Sequence, residues 1–391
     1  MWISQSSAII AQNRAGSGSL RDYSAYRETL LNQKVDSVKE LNLSYMKLDT
    51  FPVELLRFAK VEQINLSHNL FQTIPSELKG FPKLKRLDMS HNFLGSEALK
   101  VSKLRCLTRL DLSNNKLSAQ LKLKVGRRLQ TVTLNYCQLN SLRIRSRRIQ
   151  EVTAMGNNIQ SVRIGNCFGN KVCKLNLADN RLNTLPAGMQ HYRKLEKLVL
   201  SGNRFQTVPP GIRCYKRLQG LLFYKNQIQE IPDFIFDCQA LRELDFHHNK
   251  LKQINHPWGK LNQLEQLYLA HNKIEELPET IGDLTQLRFL YVEDNCLQAL
   301  PASFQRLETL ERLSLNHNAF IVFPKEVLAL VSLQEFDISE NDIEAFPEAL
   351  AAMPALRLML LNENACKSTM LCEQWLRKFD SAKAEQLRFQ Y

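Results

Sequence analysis

Apolar and polar positions recur along the chain in one short unit, L-x-x-L-x-L-x-x-N-x-L. The unit is clean at Leu107, Leu110, Leu112, Asn115 and Leu117. It returns at Leu195, Leu198, Leu200, Asn203 and Phe205, and at Leu264, Leu267, Leu269, Asn272 and Ile274. The leading apolar residues are Val38, Val61, Leu84, Leu107, Leu129, Ile149, Val172, Leu195, Leu218, Leu241, Leu264, Leu287, Leu310, Leu333 and Leu356, which makes fifteen units. Twelve of the fourteen steps are 23 residues; Leu107 to Leu129 is 22 and Leu129 to Ile149 is 20. A fixed period of this length predicts one supersecondary unit per repeat. The L-x-L alternation predicts a short strand with one buried face. One unit cannot hide that face alone, so neighbours must stack around a shared core.

Two further columns repeat with the leucines. Thirteen units place Asn in the polar slot, and Met46 and Cys137 fill the other two. A buried amide there can bond backbone groups of the next unit that no strand ladder satisfies, so the column reads as structural. Nine units carry an apolar-Pro pair, at Pro52, Pro75, Pro186, Pro209, Pro232, Pro278, Pro301, Pro324 and Pro347. Proline fixes φ and ends strand pairing on the outer side.

These motifs resemble the leucine-rich repeat family, in its 23-residue type with L-P-x-x-I/L segments, which occurs in bacterial, plant intracellular and Ras-pathway scaffold proteins. The resemblance covers about residues 38–366. It implies an α/β-type repeat solenoid: a curved horseshoe with a concave parallel sheet, a short helical or irregular convex side and helical end caps. Fifteen strands at about 4.8 Å spacing give an inner face of roughly 70 Å. Residues 1–37 are expected to form an N-terminal tail and a capping helix around Leu20, Tyr23, Leu30 and Leu31. Residues 367–391 are expected to close the last unit with a helix carrying Leu371, Trp375, Leu376, Phe379 and Leu387.

Composition adds little until charge is counted. Hydrophobic content is 44% and charged content 23%, ordinary for a folded chain. No apolar run reaches the 18 residues or so of a membrane-spanning helix. The nine cysteines are scattered without a CxxC pair, and reduced thiols are the simplest reading. Cys366 and Cys372 could bridge within a terminal cap. Neither end has cysteine-rich flanks, so a cytoplasmic protein is expected. The alternative is secretion, if residues 1–12 are the remnant of a signal peptide; they lack a basic start and a long apolar core. The formal net charge is +13, and residues 116–174 hold +11 of it, with Glu151 their only acid. The same segment contains both short units and lacks the Pro pair. Its alternation at Leu121–Lys124, Leu142–Arg145 and Val162–Gly165 predicts short outer strands with basic residues turned to solvent. Lys122, Lys124, Arg127, Arg128, Arg143, Arg145, Arg147, Arg148 and Arg163 are the candidate anion-binding residues. The competing reading is a solvated outer face. Nucleic acid is not favoured, because no aromatic stacking platform is interleaved with the charges.

On the concave strands most solvent-facing positions are polar. The units starting at Leu218, Leu241, Leu264 and Leu287 depart from that background with Leu222, Tyr224, His247, His248, Tyr268, His271, Phe289 and Tyr291, and Val199 extends the group by one unit. Clustered aromatics on a rigid sheet have the composition of a protein-binding hot spot. Arg242, Glu243, Asp245, Arg288, Glu293 and Asp294 are its expected polar rim. The competing reading is that tyrosine simply suits strands.

His248, His271 and His317 share one column, with Asp294 between the latter two. His68 and His91 fill that column elsewhere as loop residues, so no metal is expected. No phosphate loop, zincin, serine-hydrolase or zinc-finger motif occurs. Neither an enzyme nor a cofactor is expected. The reading is a protein-protein interaction scaffold that binds a protein partner on its concave face. The alternative is a binder of acidic protein, membrane surface or nucleic acid through residues 116–174.

Overall fold

The structure, a computed structural model, describes residues 22–365 except 96–98, 100, 118, 147, 165–170 and 187, together with a strand at 388–390. Arg147, Cys167, Cys366, Cys372, Leu20 and the expected C-terminal helix lie outside the described residues.

One strand from every unit joins a single parallel sheet, in which consecutive strands pair in register one unit apart, at an offset of 23 residues except for 22 and 20 at the two short units. The middle residue of each three-residue strand points inward. Leu198, Leu221, Leu244, Leu267 and Leu290 stand in register and are fully buried. Stacking thus gives the leucines the cover that one unit lacks. A sixteenth strand, Arg388–Gln390, adds parallel to Leu358–Leu360 beyond the last repeat. At the other end the helix Tyr23–Leu31 caps the first unit, opened by Asp22, whose carboxylate accepts the Ser24 N–H at 2.8 Å. Leu30 is buried, and Tyr23 and Tyr26 pack against the core.

The asparagine column is structural as expected, but its bonds run to the preceding unit and its own, not to the next. The Asn203 carboxamide accepts the Leu182 N–H at 2.9 Å and donates to the carbonyls of Leu177, Leu200 and Ser201 at 2.9–3.1 Å. Met46 has no such amide, so Asn69 of the next unit accepts both the Met46 and Leu48 N–H groups. At Cys137 the thiol reaches the Leu112 carbonyl at 3.3 Å, while Asn157 takes the Cys137 and Leu139 N–H groups. In those two units an additional residue, Lys47 or Gln138, turns to positive φ.

The convex side has two regimes. Proline-bearing units make 3-10 turns that start directly after Pro52, Pro75, Pro209, Pro232, Pro278, Pro301, Pro324 and Pro347. The proline-free basic units instead form a second, three-stranded parallel sheet from Gln120–Lys124, Ser141–Arg145 and Ser161–Ile164. Its inward residues, Leu121, Leu123, Leu142, Ile144, Val162 and Ile164, are buried. The outermost strand is capped at its last residue. The Tyr192 hydroxyl bonds both the N–H and the carbonyl of Ile164 at 3.0 and 3.3 Å.

Candidate functional site on the concave sheet

Each concave strand offers two side chains to solvent, and the register sorts them into columns. Leu222, Asp245, Tyr268, Tyr291 and Ser314 form one. Gly220, Glu243, Gln266, Phe289 and Arg312 form the other. Tyr268 and Tyr291 therefore lie on neighbouring strands, with centroids 5.2 Å apart and planes 4° apart. The Tyr268 hydroxyl donates to Gln266 Oε1 at 3.0 Å. Burial, then the neighbouring Tyr291, pushes its phenol up to about 12, so it stays a neutral donor. Both rings stay on the solvent side of the sheet, half-buried.

Phe289 is not a bare apolar anchor. The guanidinium carbons of Arg288 and Arg312 lie 5.3 and 5.5 Å from its ring centroid, a cation–π arrangement. Arg288 in turn makes a bidentate pair with Glu311, at 2.7 and 3.0 Å. Other rim charges also pair across units: Lys197 with Glu243 at 2.7 Å, Arg242 with Glu265 at 2.5 Å and Arg312 with Glu335 at 3.1 Å. These pairs order the rim, and as exposed pairs each adds little stability. Leu222 is half-buried in its strand.

The second half of the group sits where the chain leaves each strand. Every unit places one residue there at positive φ, including His68, His91, Lys225, His248, His271, Asp294 and His317, with Gly156 and Gly202 in two units. Asn, Asp, His and Gly tolerate the left-handed region best, which accounts for the histidines. The conformation also aims these side chains along the stack. His248 lies flat on His271 at 3.8 Å and 6°, and His247 stands 5.0 Å from His248. Tyr224 meets His247 and His248 edge-on at 5.1 and 5.3 Å. Asp294 bonds the Nδ1 of both His271 (2.6 Å) and His317. His68 and His91 stack at 3.9 Å with Tyr45 beyond them, so they too form a ring stack and are more than plain loop residues. The left-handed turn behind this column has a signal in the sequence, the residue just before each Asn of the polar column.

Burial governs the ionisation of this margin. It holds the His247 imidazole down at about 4, with His248 and His271 adding repulsion, and it lowers His248 as well. It pushes the Asp245 carboxyl up to about 6. Asp245 Oδ1 accepts the His247 N–H at 2.9 Å but stands 4.0 Å from Nδ1, too far for a hydrogen bond to the ring.

The basic residues divide between two places. Lys122, Arg143 and Arg163 stand in register across the convex sheet, with Lys124 and Arg145 paired beside them. Arg127, Arg128 and Arg148 lie apart from it, exposed on the turns that enter the concave strands. Among the described residues none of these cations pairs with an acid. Lys122, Arg143 and Arg163 also line a groove of about 500 Å³ closed by Gly188, His191 and Tyr192.

Models of the leucine-rich repeat match residues 34–94, 103–120 and 194–214, and a model of a leucine-rich repeat region matches 237–381. The chain is a leucine-rich repeat protein. The fold of a leucine-rich repeat protein from Leptospira interrogans is similar over 95% of this chain and 100% of that one, at 22% identity and a TM-score of 0.77. The functional domain of InlJ from Listeria monocytogenes is similar over 83% of this chain and 68% of that one, at 17% identity and a TM-score of 0.62. A chain of the octameric complex of Latrophilin 3, Unc5D and FLRT2, in which FLRT2 contributes leucine-rich repeats, is similar over 82% and 86%, at 19% identity and a TM-score of 0.53. No curated protein matches the sequence. Among the described residues of this leucine-rich repeat protein, no helix is long and apolar enough to cross a membrane, and the six described cysteines are free.

Proposed function

We propose that this leucine-rich repeat protein is a non-enzymatic scaffold that holds a protein partner on its concave sheet, centred on Tyr224, Tyr268 and Tyr291. The observation that carries the reading is the stacked, half-buried Tyr268–Tyr291 pair, framed by cross-unit ion pairs. Two rigid rings present a large contact area at low ordering cost, and the sheet beneath them is already fixed. The similarity to the fold of FLRT2, found in a complex with two other proteins, agrees with a partner-binding role. The test is quantitative capture by the immobilised full chain, wild type beside Tyr268→Ala/Tyr291→Ala. Partners kept by the wild type and lost from the double variant support the reading; identical sets from both refute it.

A second surface favours an anionic partner. Lys122, Arg143 and Arg163 stand one strand apart with no acid between them, about 4.8 Å each. Such a row repels itself and attracts a chain of phosphates or carboxylates. Capture that survives Tyr268→Ala/Tyr291→Ala but falls with Arg143→Glu/Arg145→Glu/Arg148→Glu, and with rising salt, assigns binding to the convex row.

A further inference from the structure

We propose that His247, His248 and His271 bind one divalent transition-metal ion of the zinc, copper or nickel class at the concave margin, with Asp294 orienting His271. One ligand atom from each imidazole lies within 4.8 Å of the other two. Imidazole suits these metals, and three protein ligands with an open position describe an accessible site. Bonds of about 2.0–2.1 Å in tetrahedral geometry place ligand nitrogens about 3.3 Å apart. The nitrogens therefore need to draw together by about 1.5 Å at most. The His248 and His271 rings stack in parallel at 3.8 Å, so chelation requires them to turn until their nitrogens converge on one point.

Two features prepare the site. Asp294 Oδ2 occupies the Nδ1 of His271 at 2.6 Å, which leaves Nε2 as the free ligand atom. A carboxylate behind a ligating histidine fixes its tautomer and raises its basicity. The second feature is an orphan. Glu293 Oε2 is the one buried side-chain polar atom without a hydrogen-bond partner among the described residues, and the Glu293 carbonyl accepts the His271 N–H at 2.9 Å. The His68–His91 pair shows that stacking alone is a by-product of the repeat. It has the same column and nearly the same spacing, but Tyr45 rather than a third imidazole completes it.

The inference does not rest on the partner reading, and its test uses metal alone. The full chain, stripped with EDTA, is titrated with ZnCl2 by calorimetry and with Co²⁺ by visible absorption. One ion per chain is expected. His247→Gln and His248→Asn each weaken binding at least tenfold; Asn is chosen at 248 because it tolerates the left-handed backbone. Asp294→Asn, which leaves all three ligands in place, weakens it about 10–100-fold. His68→Asn/His91→Asn changes nothing. Should a variant unfold, Cu²⁺ broadening of individual imidazole proton signals in the wild type gives the same answer. Absence of saturable one-to-one binding, or broadening outside His247, His248 and His271, overturns the proposal.

Discussion

The rings of Tyr268 and Tyr291 lie 5.2 Å apart and 4° from parallel on adjacent concave strands. Neither ring fills the core, which the leucines between them already close. Truncating both to alanine is expected to leave the thermal midpoint within a few degrees and to cost partner affinity about 2 kcal/mol or more, the scale of a hot spot. Tyr→Phe at both positions should retain most binding. Surface plasmon resonance on the captured partner separates the two variants.

Asn226 shows how much one amide in the polar column holds. It accepts the Phe205 N–H at 3.0 Å and donates to the Leu200, Phe223 and Tyr224 carbonyls at 3.0–3.3 Å. Asn226→Ala strands buried backbone groups at about 1–3 kcal/mol each. A loss of at least about 3 kcal/mol is expected in chemical denaturation. Asn226→Asp keeps the acceptor but loses the donors and adds a buried charge, so it should be no better. A midpoint unchanged in both would refute the structural role.

Asp245 and His247 give opposite pH dependences. The folded Asp245 pKa, about 6, lies above its ordinary value. The folded state therefore binds more protons than the unfolded one from about pH 4 to 6, and stability falls as pH rises through that window. The folded His247 pKa, about 4, lies below its ordinary value. There the unfolded state binds more protons between about pH 4 and 6.5, and stability rises with pH. The two slopes oppose each other. Asp245→Asn keeps the acceptor for the His247 N–H and removes the buried charge. It should raise the melting temperature at pH 7–8, lose that gain near pH 4 and reveal the His247 slope alone. Melting curves across pH 4–8 check it.

Arg143 sits between Lys122 and Arg163, and like charges directly opposite on paired strands destabilise a sheet by a few tenths to about 1 kcal/mol. Arg143→Ser is expected to raise the denaturation midpoint slightly at low ionic strength. The gain should vanish at about 1 M salt, where screening is nearly complete. A gain that persists at high salt would trace to packing instead.

The backbone plan was readable because it depends on spacing. Leu198, Leu221 and Leu244 had to stack in register once the 23-residue step was found, and missing prolines beside Leu121–Lys124, Leu142–Arg145 and Val162–Ile164 marked the outer strands. What the spacing does not encode is the direction of exposed side chains across units. Phe289 acquires two guanidinium neighbours only through rotamers of Arg288 and Arg312. His247 comes within reach of His271, at 5.6 Å between ring centroids, beside the turn where His248 and His271 take positive φ. The strand Arg388–Gln390 has no repeat motif to announce it.

The second sheet has a mechanical meaning. Turns of a coil bend toward whichever wall advances in shorter steps. Where Gln120–Lys124, Ser141–Arg145 and Ser161–Ile164 stack behind the inner strands, both walls advance by one strand spacing per turn. Equal steps on both walls leave no difference in length to bend the coil, so these three units are expected to run straighter than those whose outer wall is a 3-10 turn.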